Sequence, residues 1–269
     1  MKFRHLVALA AHRLRIPLPR PVKERIFRAT NFIQAEGELR NLFVRSTVVL
    51  ESRGLWRVHP MPSQDSLAEY YGHSYWSARG DGMSVLRPRD VGQFQHLKEV
   101  LGESFSGSGL SAINFGSGHG GMSYLLSAAG FEVTNVDMFD AEVPGCQFAT
   151  SLSSLSHSCS LFYASHSLEH VNDLPGAWQQ INRVLNPQAL IYVEVPNSEY
   201  EPYSHLIDGH PWPRLNPPHT YYMTIDYFRS LPYRILDLSA YRYDCNKIGE
   251  RVSVAKDGEV LRYIAISPF

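Results

Sequence analysis

Residues Ile113 to Asp137 constrain the fold more than any other stretch of this chain. They read as an apolar strand, a turn Gly116-Ser117-Gly118-His119-Gly120-Gly121, a helix, and a second strand Val133-Thr134-Asn135-Val136 closed by Asp137. A glycine-rich turn that opens a helix lets a ligand approach bare backbone N–H groups, and an acid about 20 residues further on can hold the two hydroxyls of a ribose. The stretch therefore predicts a β-α-β unit that binds a nucleoside-containing cofactor. The spacing narrows the class. A dinucleotide fingerprint requires Gly-x-Gly-x-x-Gly, whereas Gly116, Gly118 and Gly120 alternate and Gly121 follows, so that match is imperfect. No Gly-Lys-Ser/Thr closes the turn, which excludes a P-loop.

A second block lies downstream. Leu161 to Ala164 reads as a short buried strand, followed by Ser165-His166-Ser167-Leu168-Glu169-His170-Val171 and a helix with Leu174, Trp178, Ile181 and Leu185 on one face. Asn186-Pro187 is expected to end that helix, and Ala189 to Val195 forms an uninterrupted apolar strand closed by Pro196-Asn197. Doubly wound sheets bind ligands beyond the carboxyl ends of their strands. The glycine turn, Asp137, Ser165 to His170 and Glu194 to Asn197 all fall at such ends in the expected strand order.

The stretch from Ile113 to Gly120 with Val133 to Asp137 resembles motif I and the second-strand acid of class I S-adenosylmethionine (SAM) dependent methyltransferases. The order strand, Leu-Glu-His-Val, helix ending Arg-Val-Leu-Asn-Pro, strand, Val-Pro-Asn is similar to the central portion of the same superfamily. More narrowly it looks like the subgroup of ubiquinone-biosynthesis O-methyltransferases and sugar or natural-product methyltransferases, over roughly residues 90 to 269. The resemblance implies an α/β, Rossmann-like doubly wound seven-stranded sheet with an N-terminal extension and a Pro/aromatic-rich lid loop. It implies S-adenosyl-L-methionine as cofactor and S-adenosylhomocysteine as product, held by Asn114, Gly116, Ser117, Gly118, Gly120, Asp137, Met138 and Ser165. Two departures stand out: Asn114 occupies a position where the family usually has Asp or Glu, and Ala149-Thr150-Ser151-Leu152 lacks the acid often used for the adenine amino group.

Methyl transfer from a sulfonium is an in-line displacement, so the protein has to align the acceptor and, for a hydroxyl, remove its proton. Histidine suits that task near neutral pH. By resemblance His170 is the first candidate, beside the active site, and His219 the second, just before Tyr221 and Tyr222. A helix-start residue and a loop histidine without chemistry are the alternatives. Tyr70, Tyr71 and Tyr75 resemble a tyrosine-rich segment that folds over the cofactor, or are packing residues. His166, Glu169 and His170 are possible ligands of a divalent ion, better suited to zinc than to magnesium because His166 stands where related enzymes have a glutamate. No fourth ligand is identifiable in the sequence, and the site is expected to hold no metal.

At 269 residues the default is one α/β domain with an extension. The boundary is set near residue 90: residues 1–90 as a mostly helical, basic extension or cap, and 91–269 as the catalytic domain, with Val91, Phe94, Leu97 and Leu101 on the buried face of a first helix. Residues 1 to 60 carry twelve Lys or Arg against four Glu, although the whole chain has a net charge of −1. Such an arm could meet an anionic partner or form a solvated face. Pro202, Pro211, Pro213, Pro217 and Pro218 crowd residues 198 to 223 with aromatic residues and histidines, which predicts an ordered lid loop. Thr224 is read as the cap of a helix carrying Ile225, Phe228 and Leu231, with late strands at Ile235 to Leu238 and Leu261 to Ile266. No apolar run approaches the roughly 18 residues of a membrane span. Three cysteines without metal spacing suit a reduced, cytoplasmic protein.

The expectation is a methyltransferase acting on a small-molecule or glycan acceptor, most simply O-methylation of a sugar, glycan precursor or secondary metabolite. C- or N-methylation, RNA methylation, and a catalytically inactive SAM-fold regulatory partner are the alternatives. A homodimer through the extension is also open.

Overall fold

The computed structural model describes residues 41–43, 46–71, 86–102, 105–200, 219–242 and 249–268. The chain divides into two compact units, one of Met1–Leu42 with Asp65–Asp81 and one of Phe43–Gln64 with Gly82–Phe269. In the first, a short helix α1 (Gln64–Glu69) leads to Tyr70 and Tyr71, whose rings meet edge to face with centroids 5.1 Å apart. Tyr75 lies outside the described residues.

The second unit carries the sheet. Its strands are β1 (Thr47–Ser52), β2 (Leu55–His59), β3 (Ser111–Phe115), β4 (Glu132–Val136), β5 (Gln147–Ala149), β6 (Cys159–Ser165), β7 (Leu185–Pro196), β8 (Tyr221–Met223), β9 (Arg234–Arg242), β10 (Glu250–Val252) and β11 (Val260–Ile266). Helices α2 (Pro88–Leu101), α3 (Gly121–Ala128), α4 (Leu174–Val184) and α5 (Ile225–Ser230) connect them. Eight strands form one sheet in the order β10-β9-β11-β7-β6-β3-β4-β5. From β5 to β7 neighbouring strands run parallel, and β11 inserts antiparallel between β7 and β9. This is the doubly wound sheet expected, with one strand more than the seven foreseen: β10, three residues long, pairs onto the edge of β9.

Parallel strands covered on both faces read as apolar runs, and each run here divides its residues between two cores. Ile113, Phe162, Ile191, Val193 and Tyr263 pack with Leu174, Trp178 and Ile181 of α4 and with Tyr227 and Phe228 of α5. Ala112, Leu161, Tyr163, Leu190, Tyr192 and Ile264 pack with Leu97 of α2 and Met122 and Leu126 of α3. Each fully buried large side chain contributes about 1.5–3 kcal/mol over exposure. The helix α4 ends at Val184, which takes the buried place assigned to Leu185. Asn186-Pro187 does not interrupt the chain as expected: β7 runs straight on from the helix, and the irregularity is absorbed by a register shift against β6 and by Gln188 at φ 61°.

Two expectations need correction. Residues 47–59, placed in a mostly helical extension, form a hairpin, and Tyr221–Met223, placed in the lid loop, form β8, which pairs with β2 to complete a three-stranded sheet β1-β2-β8. Residues 201–218 of that segment lie outside the described residues. The hairpin turn explains the seating. Gly54 has φ 71°, and a Cβ there would lie 2.4 Å from Thr224 Oγ1 and 2.6 Å from the Tyr227 nitrogen. The Thr224 hydroxyl, expected to cap α5, donates instead to the Gly54 carbonyl at 3.1 Å.

Candidate active site

Strand order reverses at β3 and β6, so the crevice beyond their carboxyl ends is the binding position the topology defines. The glycine turn sits at the end of β3. Gly116, Gly118 and Gly120 have φ of 69°, 55° and 74°, conformations that strain any other residue. At Gly116 space forbids a side chain too: a Cβ would lie 2.0 Å from Ser167 Oγ. The turn after β6 thus packs directly on the turn after β3.

Asp137 ties the turn to β4. Its Oδ2 accepts from the Gly118 N–H at 2.8 Å, and its Oδ1 accepts from the N–H groups of Met138 and Phe139 at 2.7 and 3.3 Å. Burial raises the pKa of this carboxyl, partly offset by the same backbone donors. A carboxylate offers about four acceptor positions, so room remains for a ribose hydroxyl. Gly120 precedes α3 without any side-chain cap, and the buried Ser117 Oγ has no hydrogen-bond partner. A helix start lacking a cap and an unpaired buried hydroxyl fit a polar ligand such as the amino-acid portion of SAM. Met138 and Phe139 are exposed apolar surface beside Asp137, suited to a purine face.

Asn114 is buried, and its amide nitrogen is not directed to the cleft. It donates to Ser123 Oγ at 2.7 Å, and Ser123 in turn donates to Asn135 Oδ1 at 2.5 Å. The Ser123 hydroxyl has one hydrogen and gives it to Asn135, so its neighbour on β3 has to be a donor. An amide meets that need and a carboxylate does not.

Beyond β6 lies a chain of buried charges. Arg262 Nε donates to Glu194 Oε2 at 2.6 Å, and its guanidinium lies 3.9 Å over the Tyr241 ring. Gln93 Nε2 donates to Glu194 Oε1 at 2.5 Å and to Ser165 Oγ at 2.9 Å, while Tyr163 OH donates to Gln93 Oε1. His166, in a left-handed conformation at φ 51°, bridges two carboxylates. Its Nε2 is 3.3 Å from Glu194 Oε1 and its Nδ1 is 3.3 Å from Glu169 Oε1. His170 Nε2 is 3.7 Å from Glu169 Oε1, and the His170 and His219 rings stand 5.1 Å apart. Thr220, next to His219, donates its N–H to the Glu169 carbonyl at 2.8 Å, and its hydroxyl is shared between the carbonyls of Glu169 and Val171 at 2.9 and 2.5 Å. One ligand atom from each of Glu169, His170 and His219 lies within 4.8 Å of the others, a set that could hold a divalent ion.

Burial would raise the Glu169 pKa, but the imidazoles of His170 and His166 hold it at about 2. Glu194 is likewise held down against burial, by His166 and Arg262. His166 moves up: its two carboxylates outweigh its burial. Burial, with the like charge of His170, drops His219 to about 3, so it is neutral in the physiological range and a weak proton acceptor. The structure therefore brings His170 and His219 together, places Ser165 under Gln93, and adds Gln93, Glu194, Thr220 and Arg262. Single charges inside the apolar runs Ala189–Val195 and Leu261–Ile266 were the available signal for the buried pair.

The sheet order, the glycine turn and the acid that closes the second strand are those of a class I SAM-dependent methyltransferase. Residues 86–231, more than half of the chain, match the family model described as Methyltransferase domain, and the chain belongs to that family. The [4+2]-cyclase SpnF has a similar fold, with 14% identity over 78% of this chain and 98% of its own, at a TM-score of 0.55. An S-adenosylmethionine dependent methyltransferase from Mesorhizobium loti aligns with 16% identity over 65% of this chain and 98% of its own, at 0.49. The N-methyltransferase NodS from Bradyrhizobium japonicum, in complex with S-adenosyl-L-homocysteine, aligns with 11% identity over 75% and 97%, also at 0.49. No curated protein sequence matches this chain. Among the described residues no helix is long and apolar enough to cross a membrane.

Proposed function

We propose that this methyltransferase O-methylates a hydroxyl of a small molecule, of the class of sugars, glycan precursors or secondary metabolites, and that His170 takes the hydroxyl proton. The observation that carries this is the packing of Ser167 on Gly116, which sets the turn Leu168–His170 beside the glycine turn where SAM's methionine portion is expected. In the reaction an acceptor oxygen lone pair attacks the methyl carbon. The carbon–sulfur pair stays on sulfur, leaving neutral S-adenosylhomocysteine, and the hydroxyl proton passes to a His170 ring nitrogen. The ionised Glu169 beside it stabilises the imidazolium so formed. His219, neutral and buried, is better suited to orient than to accept.

The reading is tested by titrating the full chain calorimetrically with SAM, S-adenosylhomocysteine and, as control, NAD, and then offering labelled SAM with panels of hydroxyl and amine acceptors. Binding of the two sulfur nucleosides with label transfer to hydroxyl acceptors is the expected result. Transfer only to amines or carbon acceptors would overturn the O-methyl assignment, and no transfer to any acceptor would favour a regulatory, SAM-binding role.

A further inference from the structure

We propose that His166 is a positioning residue for methyl transfer: its Nδ1 holds the Glu169 carboxylate against His170, and its Nε2 anchors the ring on Glu194. Three observations carry it. Glu169 is 1% exposed, and neither of its oxygens accepts a hydrogen bond of regular geometry among the described residues, so its orientation is left to the imidazoles that face it. One oxygen, Oε1, faces two of them, with His166 Nδ1 at 3.3 Å and His170 Nε2 at 3.7 Å. His166 in turn is fixed twice on Glu194. Its N–H donates to the Glu194 carbonyl at 2.8 Å and its Nε2 lies 3.3 Å from Glu194 Oε1, while Arg262 pairs the other carboxylate oxygen at 2.6 Å.

The backbone points the same way. His166 has φ 51°, a conformation that glycine and asparagine adopt more readily than a ring-bearing residue. A turn that needed only this backbone would be served by glycine, so the strain kept here is offset by what the imidazole does. Arg262, Glu194, His166 and Glu169 form a row in which basic and acidic groups alternate, from β11 through β7 and the end of β6 to His170. The role rests on the reading above that His170 takes the hydroxyl proton. As it does so the ring becomes an imidazolium, and a carboxylate already turned towards it needs no reorientation at that moment. Without the facing Nδ1 the Glu169 carboxylate can swing away, and a misplacement of about 1 Å costs up to about 100-fold in rate. His166 thus acts through Glu169.

The two ring nitrogens can be separated by substitution, because an asparagine amide nitrogen can stand where Nδ1 does and a glutamine amide nitrogen where Nε2 does. The full chain carrying His166→Gly, His166→Asn or His166→Gln is assayed with labelled SAM and the hydroxyl acceptor that takes label from wild type. S-adenosylhomocysteine affinity and thermal melting are measured on the same samples. His166→Gly, which keeps the left-handed backbone, is expected to lower kcat by about 10–100-fold with KM and nucleoside affinity near wild type. His166→Asn restores most of that loss and His166→Gln does not. Adding His166→Gly to Glu169→Gln lowers kcat no further than Glu169→Gln alone, because the first acts through the second. Wild-type kcat in all three variants overturns the proposal, and so does rescue by Gln rather than Asn, which would make His166 a structural lock on Glu194. Where a variant does not fold, NMR of the wild-type chain with ring-labelled histidine decides: hydrogen on His166 Nδ1 is expected, and a bare Nδ1 overturns the role. Absence of transfer from the wild-type chain to any hydroxyl overturns the O-methyl reading and this role with it, whereas indifferent variants overturn the role alone.

Discussion

Asn114 shows how one hydrogen atom can set a residue's identity. Because Ser123 gives its only hydrogen to Asn135, an acid at 114 would face an acceptor with an acceptor inside the sheet. Asn114→Asp is therefore expected to lower stability by about 1–3 kcal/mol, read by chemical denaturation, and an unchanged stability would mean the three residues do not form this chain. Asp137→Ala should weaken S-adenosylhomocysteine by about 1–3 kcal/mol in calorimetry; undiminished affinity would move the ribose contact elsewhere. His170→Ala should cut turnover by about 100-fold while nucleoside affinity stays close to wild type, and full turnover would exclude it as the proton acceptor. The alternating glycines were legible in the sequence because left-handed backbone demands them, and Asp137 because it closes the second strand of the β-α-β unit. The role of Asn114 was not, since its partners Ser123 and Asn135 sit on other elements.

At the level of elements, the ends of β6, β7 and β11 converge through Glu194 and Arg262. Both are almost fully buried, so removing one partner leaves the other charged and unpaired. Arg262→Met is expected to cost about 3–5 kcal/mol, measured by denaturant unfolding, and the double change with Glu194→Gln should recover part of it. A single-variant loss below about 1 kcal/mol would show that water reaches the pair. Helix α4 was readable from periodicity, because Leu174, Trp178 and Ile181 repeat at helical spacing, and the parallel strands from their apolar runs; in α2 the buried residues are Gly92, Gln93, His96 and Leu97, of which the expected face contained Leu97 alone. The hairpin β1–β2 was not, because its partner β8 lies far along the chain and no local pattern records the pairing. Thr224 illustrates the same point: its side chain fits a helix cap, but the Gly54 carbonyl claims its hydroxyl.

For the molecule as a whole, the sheet interior behaves as a closed medium. Burial raises the Cys159 thiol to about 12, while Cys146, also raised by burial, is only partly buried. Alkylation of the native protein followed by peptide mapping should leave Cys159 unmodified at pH 8 and modify it only on unfolding, with Cys146 reacting first. Native labelling of Cys159 would reveal opening of β6. The amino-acid sequence alone determined the β-α-β order and the glycine-rich turn, because these rest on local periodicity and on backbone conformations that few residues tolerate, and it carried the methyltransferase class through the resemblance of its motifs. The tertiary structure decided that His219 meets His170, that His166 bridges Glu169 and Glu194, and that a hairpin clamps β8. Apart from the local His166–Glu169 contact, these join residues far apart in the chain, and only the packing of distant elements brings them within reach.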